Sequence, residues 1–342
     1  MKAQPYPPSF IDRFMNSVKR LPVAYPITYF VLFIVESALL HIAAWIDGWL
    51  PAYKFSGLAV AFPLWLWGPL AIVTYLNSVS IEALTTFRPL LDVPDEMIRH
   101  LEYEFTHLPA RRVIINSVAW SIVYFVFNYA AIDTSYGGYG FGTLMEVISF
   151  SAGWISFFTG SVIYYHTFRQ LTLVNRTVRM VKFFDLFQLE PVYAFSALTS
   201  RTGISWVVLI SLTLLSFPIQ AAPYPMLALL ILQVMLAIAA FVLPLRTVHS
   251  RLVSEKRRLK AELDHRVKAT LSHFHRSLDD HELLEMDRFD HAIAGLNAER
   301  DILGKIPTWP WRAGMLTGFL SIVVLPIVLF LLQLLMARWL SN

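Results

Sequence analysis

Seven stretches of this chain, residues 23–46, 57–76, 113–132, 144–166, 204–221, 224–245 and 313–337, are long and apolar, and nearly all charge lies between them. Each runs for about 18 to 25 residues, the length a helix rising 1.5 Å per residue needs to cross roughly 30 Å of hydrocarbon. Composition agrees: 56% of residues are hydrophobic and only 15% charged, against about a quarter in soluble domains. The chain therefore reads as an all-α integral membrane protein with seven transmembrane helices. The first stretch is too long for a removable signal peptide, follows a 22-residue polar start and lacks a small-residue cleavage site.

Lysine and arginine positions predict the orientation. The tail before the first span holds four, residues 77–112 four, residues 167–203 five and residues 246–312 thirteen, while the opposite side has only Lys54 and Arg338. By the positive-inside rule the N-terminus is cytoplasmic and the C-terminus external. The net charge of +4 then reflects topology, and no nucleic-acid partner is implied. The lipid bilayer is the first partner, in the inner membrane if the source is bacterial. Cysteine is absent, which excludes disulfides and thiolate metal sites.

These features divide the chain into a tail (1–22), a six-helix bundle (23–246) with cytoplasmic loops 77–112 and 167–203, a helical hairpin (247–305), and a joint with the seventh helix (306–342). In the tail, Phe10, Phe14, Val18 and Leu21 recur at helical spacing among basic residues, as in a helix lying in the lipid interface. The segment VPDEMIRHLEYEFTHLP begins with proline and two acids and aligns Met97, Leu101, Phe105 and Leu108, the pattern of a capped amphipathic helix. The segment VRMVKFFDLFQLEPVYAF is too apolar to float in water, so it is expected to pack on other helices or on the membrane.

Residues 247–276 carry eight basic and three acidic groups, and residues 277–305 carry three and eight. Folding back at SLDDHE would face the two arms as an antiparallel cytoplasmic hairpin, with the first arm running straight out of the sixth span. A hairpin that only stabilises the bundle or an oligomer accounts for this pattern, and a partner-docking arm is the sharper alternative. Six of the ten histidines fall here, without metal-ligand spacing, so no metal site is expected.

Polar residues inside the spans are costly. Ser117, Ser121, Tyr124 and Asn128 form one stripe, and Glu146, Ser149, Gly153, Ser156 and Gly160 another; both suit close helix contacts. Glu36, in the middle of the first span, costs at least ~2.5 kcal/mol unless paired, protonated or beside water. His41, Asn128, Gln233 and Glu146 are its candidate partners by depth. Together they define a possible ion or small-ligand pocket, against which stands a protonated Glu36 bonded to a neighbouring helix. Between hairpin and last span, KIPTWPWRAG places Pro307, Trp309, Pro310 and Trp311: an interfacial anchor by residue type, and a coupling joint by position.

Catalytic patterns are missing: no GxSxG, GxGD, HExxH or phosphate-cradling loop occurs, and YGGYGFG reads as an aromatic turn. Neither an enzyme nor a cofactor is expected. The stretches LEPVYAFSALTSRTG, LPLRTVHSRLVSEKRRL and KIPTWPW resemble a family of bacterial polytopic membrane proteins, a likeness that implies no activity. Seven spans with N inside, a long helical sixth loop and Gln333 late in the last span are similar in layout to insect odorant and gustatory receptor channels. The threonine-tyrosine of those receptors is replaced by Pro326 and Ile327, so no residue role carries over. The resulting expectation is a regulated ion conduit or ligand-responsive receptor-channel that forms homo-oligomers. A secondary transporter using Glu36, and a non-conducting scaffold or sensor with a partner-binding hairpin, are the alternatives.

Overall fold

The computed structural model describes residues 5–130, 144–182, 184–216, 224–279, 286–311 and 314–341. Eleven α-helices occur among them: α1 Phe10–Lys19, α2 Tyr25–Ile46, α3 Gly57–Phe87, α4 Asp95–Thr106, α5 Ala110–Ala130, α6 Leu144–Gly160, α7 Val162–Met180, α8 Glu190–Ser216, α9 Tyr224–Asp279, α10 Met286–Lys305 and α11 Met315–Ser341. Seven helical stretches are long and apolar enough to cross a membrane: α2, α3, α5, α6 with α7, α8, α9 and α11. The YGGYGFG segment lies outside the described residues, as do most of FPIQAAPYP and part of the SLDDHE turn.

Of the seven spans α8 is the most enclosed and α11 the least. Trp206 on α8 is fully buried, and its indole donates to Thr167 Oγ1 of α7 at 2.9 Å. Small residues let neighbours approach this centre closely. A Cβ on Gly203 would lie 2.7 Å from Phe319 Cε2 of α11 and 3.0 Å from the Ala237 carbonyl oxygen of α9. At Gly160, where α6 meets α7, a Cβ would collide with the Trp65 carbonyl of α3. Both polar stripes read from the sequence lie at such contacts: Tyr124 OH donates to Phe150 O at 3.0 Å, Trp154 Nε1 to Ser121 Oγ at 3.1 Å, and Ser156 Oγ to Phe62 O at 2.7 Å.

Beyond the spans, α3, α7 and α9 continue without interruption, and with α4 and the start of α8 they enclose a second apolar core. Phe87, Leu101, Val178, Phe184, Phe195 and Leu252 belong to it. The segment expected to be too apolar for water supplies Val178, Val181, Phe184, Leu186, Val192 and Phe195, all buried there. On α4, Ile98 rather than Met97 joins Leu101 and Phe105 on the inner face. This is the arm end of the bundle, since α9 leaves it there.

The tail helix packs on the bundle. Ile11, Asp12, Met15 and Val18 are buried there, whereas Phe10 and Phe14 stay partly exposed beside Phe158 and Trp67. A capping box decides the rotation of α1: Asp12 Oδ2 accepts from Ser9 N at 2.8 Å and Ser9 Oγ at 2.7 Å, and from Leu108 N beyond α4 at 3.0 Å. Burial pushes the Asp12 carboxyl above its ordinary value, and its hydrogen bonds offset part of that rise. Arg169 of α7 closes the clamp, donating to Tyr6 OH at 2.5 Å and to Glu104 O at 3.0 Å.

α9 is one helix of 56 residues, about 84 Å at 1.5 Å per residue. α10 runs back along its far half. Arg300 pairs with Asp264, and Phe289 meets Phe274 edge-on at 5.3 Å. Near the bundle, Lys256 Nζ donates to Gly304 O in the last turn of α10 at 2.8 Å and to Ile306 O just past it at 2.6 Å. A cation there meets the negative end of the helix dipole. Lys256 of the KRRLK run thus caps its partner arm.

Candidate functional site

Where α10 ends, the prolines and tryptophans of 305–311 cross from the arms to α11. Trp309 stacks on His249 of α9, with centroids 4.0 Å apart and planes 11° from parallel, and on Trp311 at 4.5 Å and 7°. Trp311 faces Phe241 of α9 at 6.0 Å and 19°, and Phe241 stacks on Phe319 of α11 at 4.1 Å and 28°. Five rings therefore form a continuous column from the base of the arm to the seventh span. Pro307 and Pro310 keep the backbone from continuing α10, which frees Thr308 O to meet His249 Nδ1 at 3.0 Å. Pro310 is buried and its carbonyl accepts from Ser196 Oγ of α8. The joint is thus tied to α8, α9 and α11 together.

Of the residues proposed for an ion or ligand pocket, Glu36, His41, Asn128 and Gln233 each bond to a different neighbour. Glu36 on α2 is half-buried, and its Oε2 accepts from Trp67 Nε1 of α3 at 2.5 Å. His41 is buried one and a half turns further on. Its Nε2 accepts from Ser56 N at 3.2 Å, so Nδ1 carries the hydrogen that reaches Ser37 O at 2.7 Å. That is a neutral imidazole fastening the start of α3. Asn128 Nδ2 donates to Tyr124 O in its own helix at 2.9 Å, and Glu146 sits half-buried in the first turn of α6. Gln233 of α9 is buried, and its Nε2 donates to Tyr164 OH of α7 at 2.8 Å. Tyr164 in turn stacks on Trp120 at 4.0 Å. The partner of Glu36 is thus an indole and none of the polar residues at its depth.

A buried polar seam between α3, α7 and α8 was also missed. Asn77 Nδ2 donates to Thr106 O at 3.1 Å, which leaves Asn77 Oδ1 to accept from His166 Nε2 at 3.2 Å. One turn along, Gln170 Nε2 donates to Ser80 Oγ at 3.2 Å while Thr202 Oγ1 donates to Gln170 Oε1 at 2.9 Å. His166 Nδ1 is buried without a protein partner. The available signal was the i, i+4 spacing of His166 and Gln170 facing Asn77 and Ser80. His166 ends the fourth apolar stretch, 144–166, whereas Gln170 falls in the loop 167–203. Among the described residues no group of three or more His, Asp or Glu side chains is arranged to hold a metal ion.

Fold and composition together define a polytopic, all-helical membrane protein with seven long apolar helices. Compared with known protein families, curated proteins and solved structures, the chain matches none.

Proposed function

We propose that the protein is a membrane receptor that relays the state of its two charged arms to its last span, with the arms and joint on the cytoplasmic side as the lysine and arginine distribution predicts. The observation that supports this reading is the five-ring column His249, Trp309, Trp311, Phe241, Phe319. Offset stacks contribute about 0.5–1.5 kcal/mol each beyond the area they bury. Four of them amount to roughly 2–6 kcal/mol, the order needed to move a two-state equilibrium from one side to the other. A displacement of the arm either carries α11 with it or breaks the stack.

The absence of cysteine makes the test direct. Asp264→Cys and Arg300→Cys, bridged by a short bis-maleimide, lock the arms, and hydrogen exchange is followed in α11. Bridging is expected to change exchange in α11 severalfold. In Trp309→Ala/Trp311→Ala that response should vanish while α10 stays protected. An α11 that ignores the bridge, or a double variant that responds unchanged, refutes the relay.

A regulated ion conduit is the second reading, favoured by Glu36, a carboxyl group within a span with an indole as its hydrogen-bond donor. Cation flux into liposomes that depends on the protein and falls at least tenfold in Glu36→Gln would carry it. Equal flux in the variant removes it.

A further inference from the structure

Helix α1 presents three faces. With the first, Ile11, Met15 and Val18 dock in the apolar cluster that holds Tyr29, Leu70, Val73, Val113 and Val162. The ends of α1 fix how it lies: Ser9 N donates to Leu108 O at 3.0 Å just before α5, and past Arg20 the chain soon enters α2 at Tyr25. Both are arm-side ends of spans, so α1 runs along the membrane edge rather than through the bilayer. On the second face Phe10 and Phe14, one turn apart, meet Phe158 at 5.8 Å and Trp67 at 6.0 Å. Phe158 and Trp67 lie eight and nine positions inside the arm-side ends of their apolar stretches, 166 and 76, about 12 and 14 Å along a helix. Phe10 and Phe14 therefore point down the bundle wall toward the hydrocarbon, each with 38% of its surface uncovered.

The third face turns the other way. Arg13, Asn16 and Arg20 follow one another at three- and four-residue steps and are exposed, with Lys19 beside them. Pro8 bridges Pro109, which brings Arg111 and Arg112 at the start of α5 next to the start of α1. Among the described residues none of these five cations makes an ion pair or a side-chain hydrogen bond. At the arm end Glu82 is paired with Arg201, Asp95 with Arg88 and Glu104 with Arg176, and Asp12 is buried under α1 with three donors on one oxygen. Arg13 and Arg20 stand two turns apart, about 10 Å, enough for each to hold its own phosphate through two parallel N–H bonds. Cations left unpaired at headgroup depth, above an apolar face, suit a lipid of net negative charge, each favouring such a surface by about fivefold. A zwitterionic lipid brings a cationic group of its own, and the only carboxylate of α1 is the buried Asp12.

We infer that α1 and the first residues of α5 form a site for anionic phospholipid in the arm-side leaflet, with phosphates on Arg13 and Arg20 and acyl chains running past Phe10 and Phe14 toward Phe158 and Trp67. The site requires the chain to lie in a membrane and is independent of the relay. The assay is native mass spectrometry of the full-length protein, delipidated and then offered equimolar phosphatidylglycerol and phosphatidylcholine. Phosphatidylglycerol should be retained at least tenfold over phosphatidylcholine. Arg13→Gln/Arg20→Gln should lower that ratio at least fivefold. Lys260→Gln/Lys268→Gln, which removes the same charge from α9 at least 15 residues beyond the sixth span, should leave it unchanged. Both pairs alter exposed side chains and leave Ile11, Met15 and Val18 in place, so the ratio reports binding. Equal retention of the two lipids overturns the inference, as does a ratio unchanged in the α1 variant or lowered as far in the arm variant. Displacement of phosphatidylglycerol by soluble glycerophosphoglycerol at the same concentration also overturns it, by assigning the cations to a soluble ligand.

Discussion

Gly203→Ala tests the packing of α8 with a single methyl group. That methyl would sit 2.7 Å from Phe319 Cε2 and 3.0 Å from the Ala237 carbonyl, where ordinary contact begins near 3.4 Å. Neither neighbour yields easily: Phe319 is buried and stacked on Phe241 at 4.1 Å, and the carbonyl belongs to the backbone of α9. Overpacking of this kind costs about 1–3 kcal/mol. Replacing glycine by alanine inside a helix returns about 1 kcal/mol of backbone propensity. The net expectation is a loss of about 1 kcal/mol. Gly318→Ala, on α11 with open space around its Cβ position, gains the propensity without the clash and should not destabilise. The assay is unfolding of the purified protein in mixed micelles by dodecyl sulfate, followed by tryptophan fluorescence. Phe319→Leu removes the offending ring edge, so the double variant should show a favourable coupling of at least ~0.5 kcal/mol. A Gly203→Ala protein as stable as Gly318→Ala, or a strictly additive double variant, refutes the close approach of α8 and α11.

Two further outcomes follow from the arm end. Because burial raises the Asp12 carboxyl in the folded protein, the folded state binds this proton more readily than the unfolded one, whose ordinary value is 3.8. Docking of α1 is therefore strongest below that value and weakens as pH rises through the raised one. Hydrogen exchange of residues 10–19, corrected for intrinsic rates, should show that fall; Asp12→Asn should flatten it, and Asp12→Ala should lower protection by about 1–2 kcal/mol through loss of the cap. Lys256→Gln removes the charged donor from the end of α10 and should lower protection across residues 300–305 by about 1 kcal/mol, with the spans unaffected.

The apolar runs were legible because a helix in hydrocarbon must be long and apolar, whatever its neighbours. Charge separation between the arms was equally plain, and Arg300 with Asp264 joins them. Rotation of a helix about its axis was less legible. On α1 two apolar stripes compete, Phe10 with Phe14 and Ile11 with Met15, and the choice rests on Asp12 reaching Leu108, nearly a hundred residues away. The site followed the same rule. Trp309 and Trp311 were identifiable by residue type, yet their stacking partners His249, Phe241 and Phe319 come from elements that only the tertiary fold brings together. Trp67 escaped notice as a partner of Glu36 because an indole counts as apolar in a hydropathy window while still carrying a donor.

The contact between Gly203 and Phe319 also bears on the order in which the protein is made. Synthesis runs at roughly 5–20 residues per second, so the 115 positions between them take on the order of ten seconds. Throughout that interval α8, the most enclosed span of the finished molecule, has one face without its eventual cover. The ribosome must also deliver both charged arms before α11 can insert. The cover of α8 is thus completed only by α11, and a nascent chain halted within the arms presents an α8 groove for chaperones or membrane quality control to recognise.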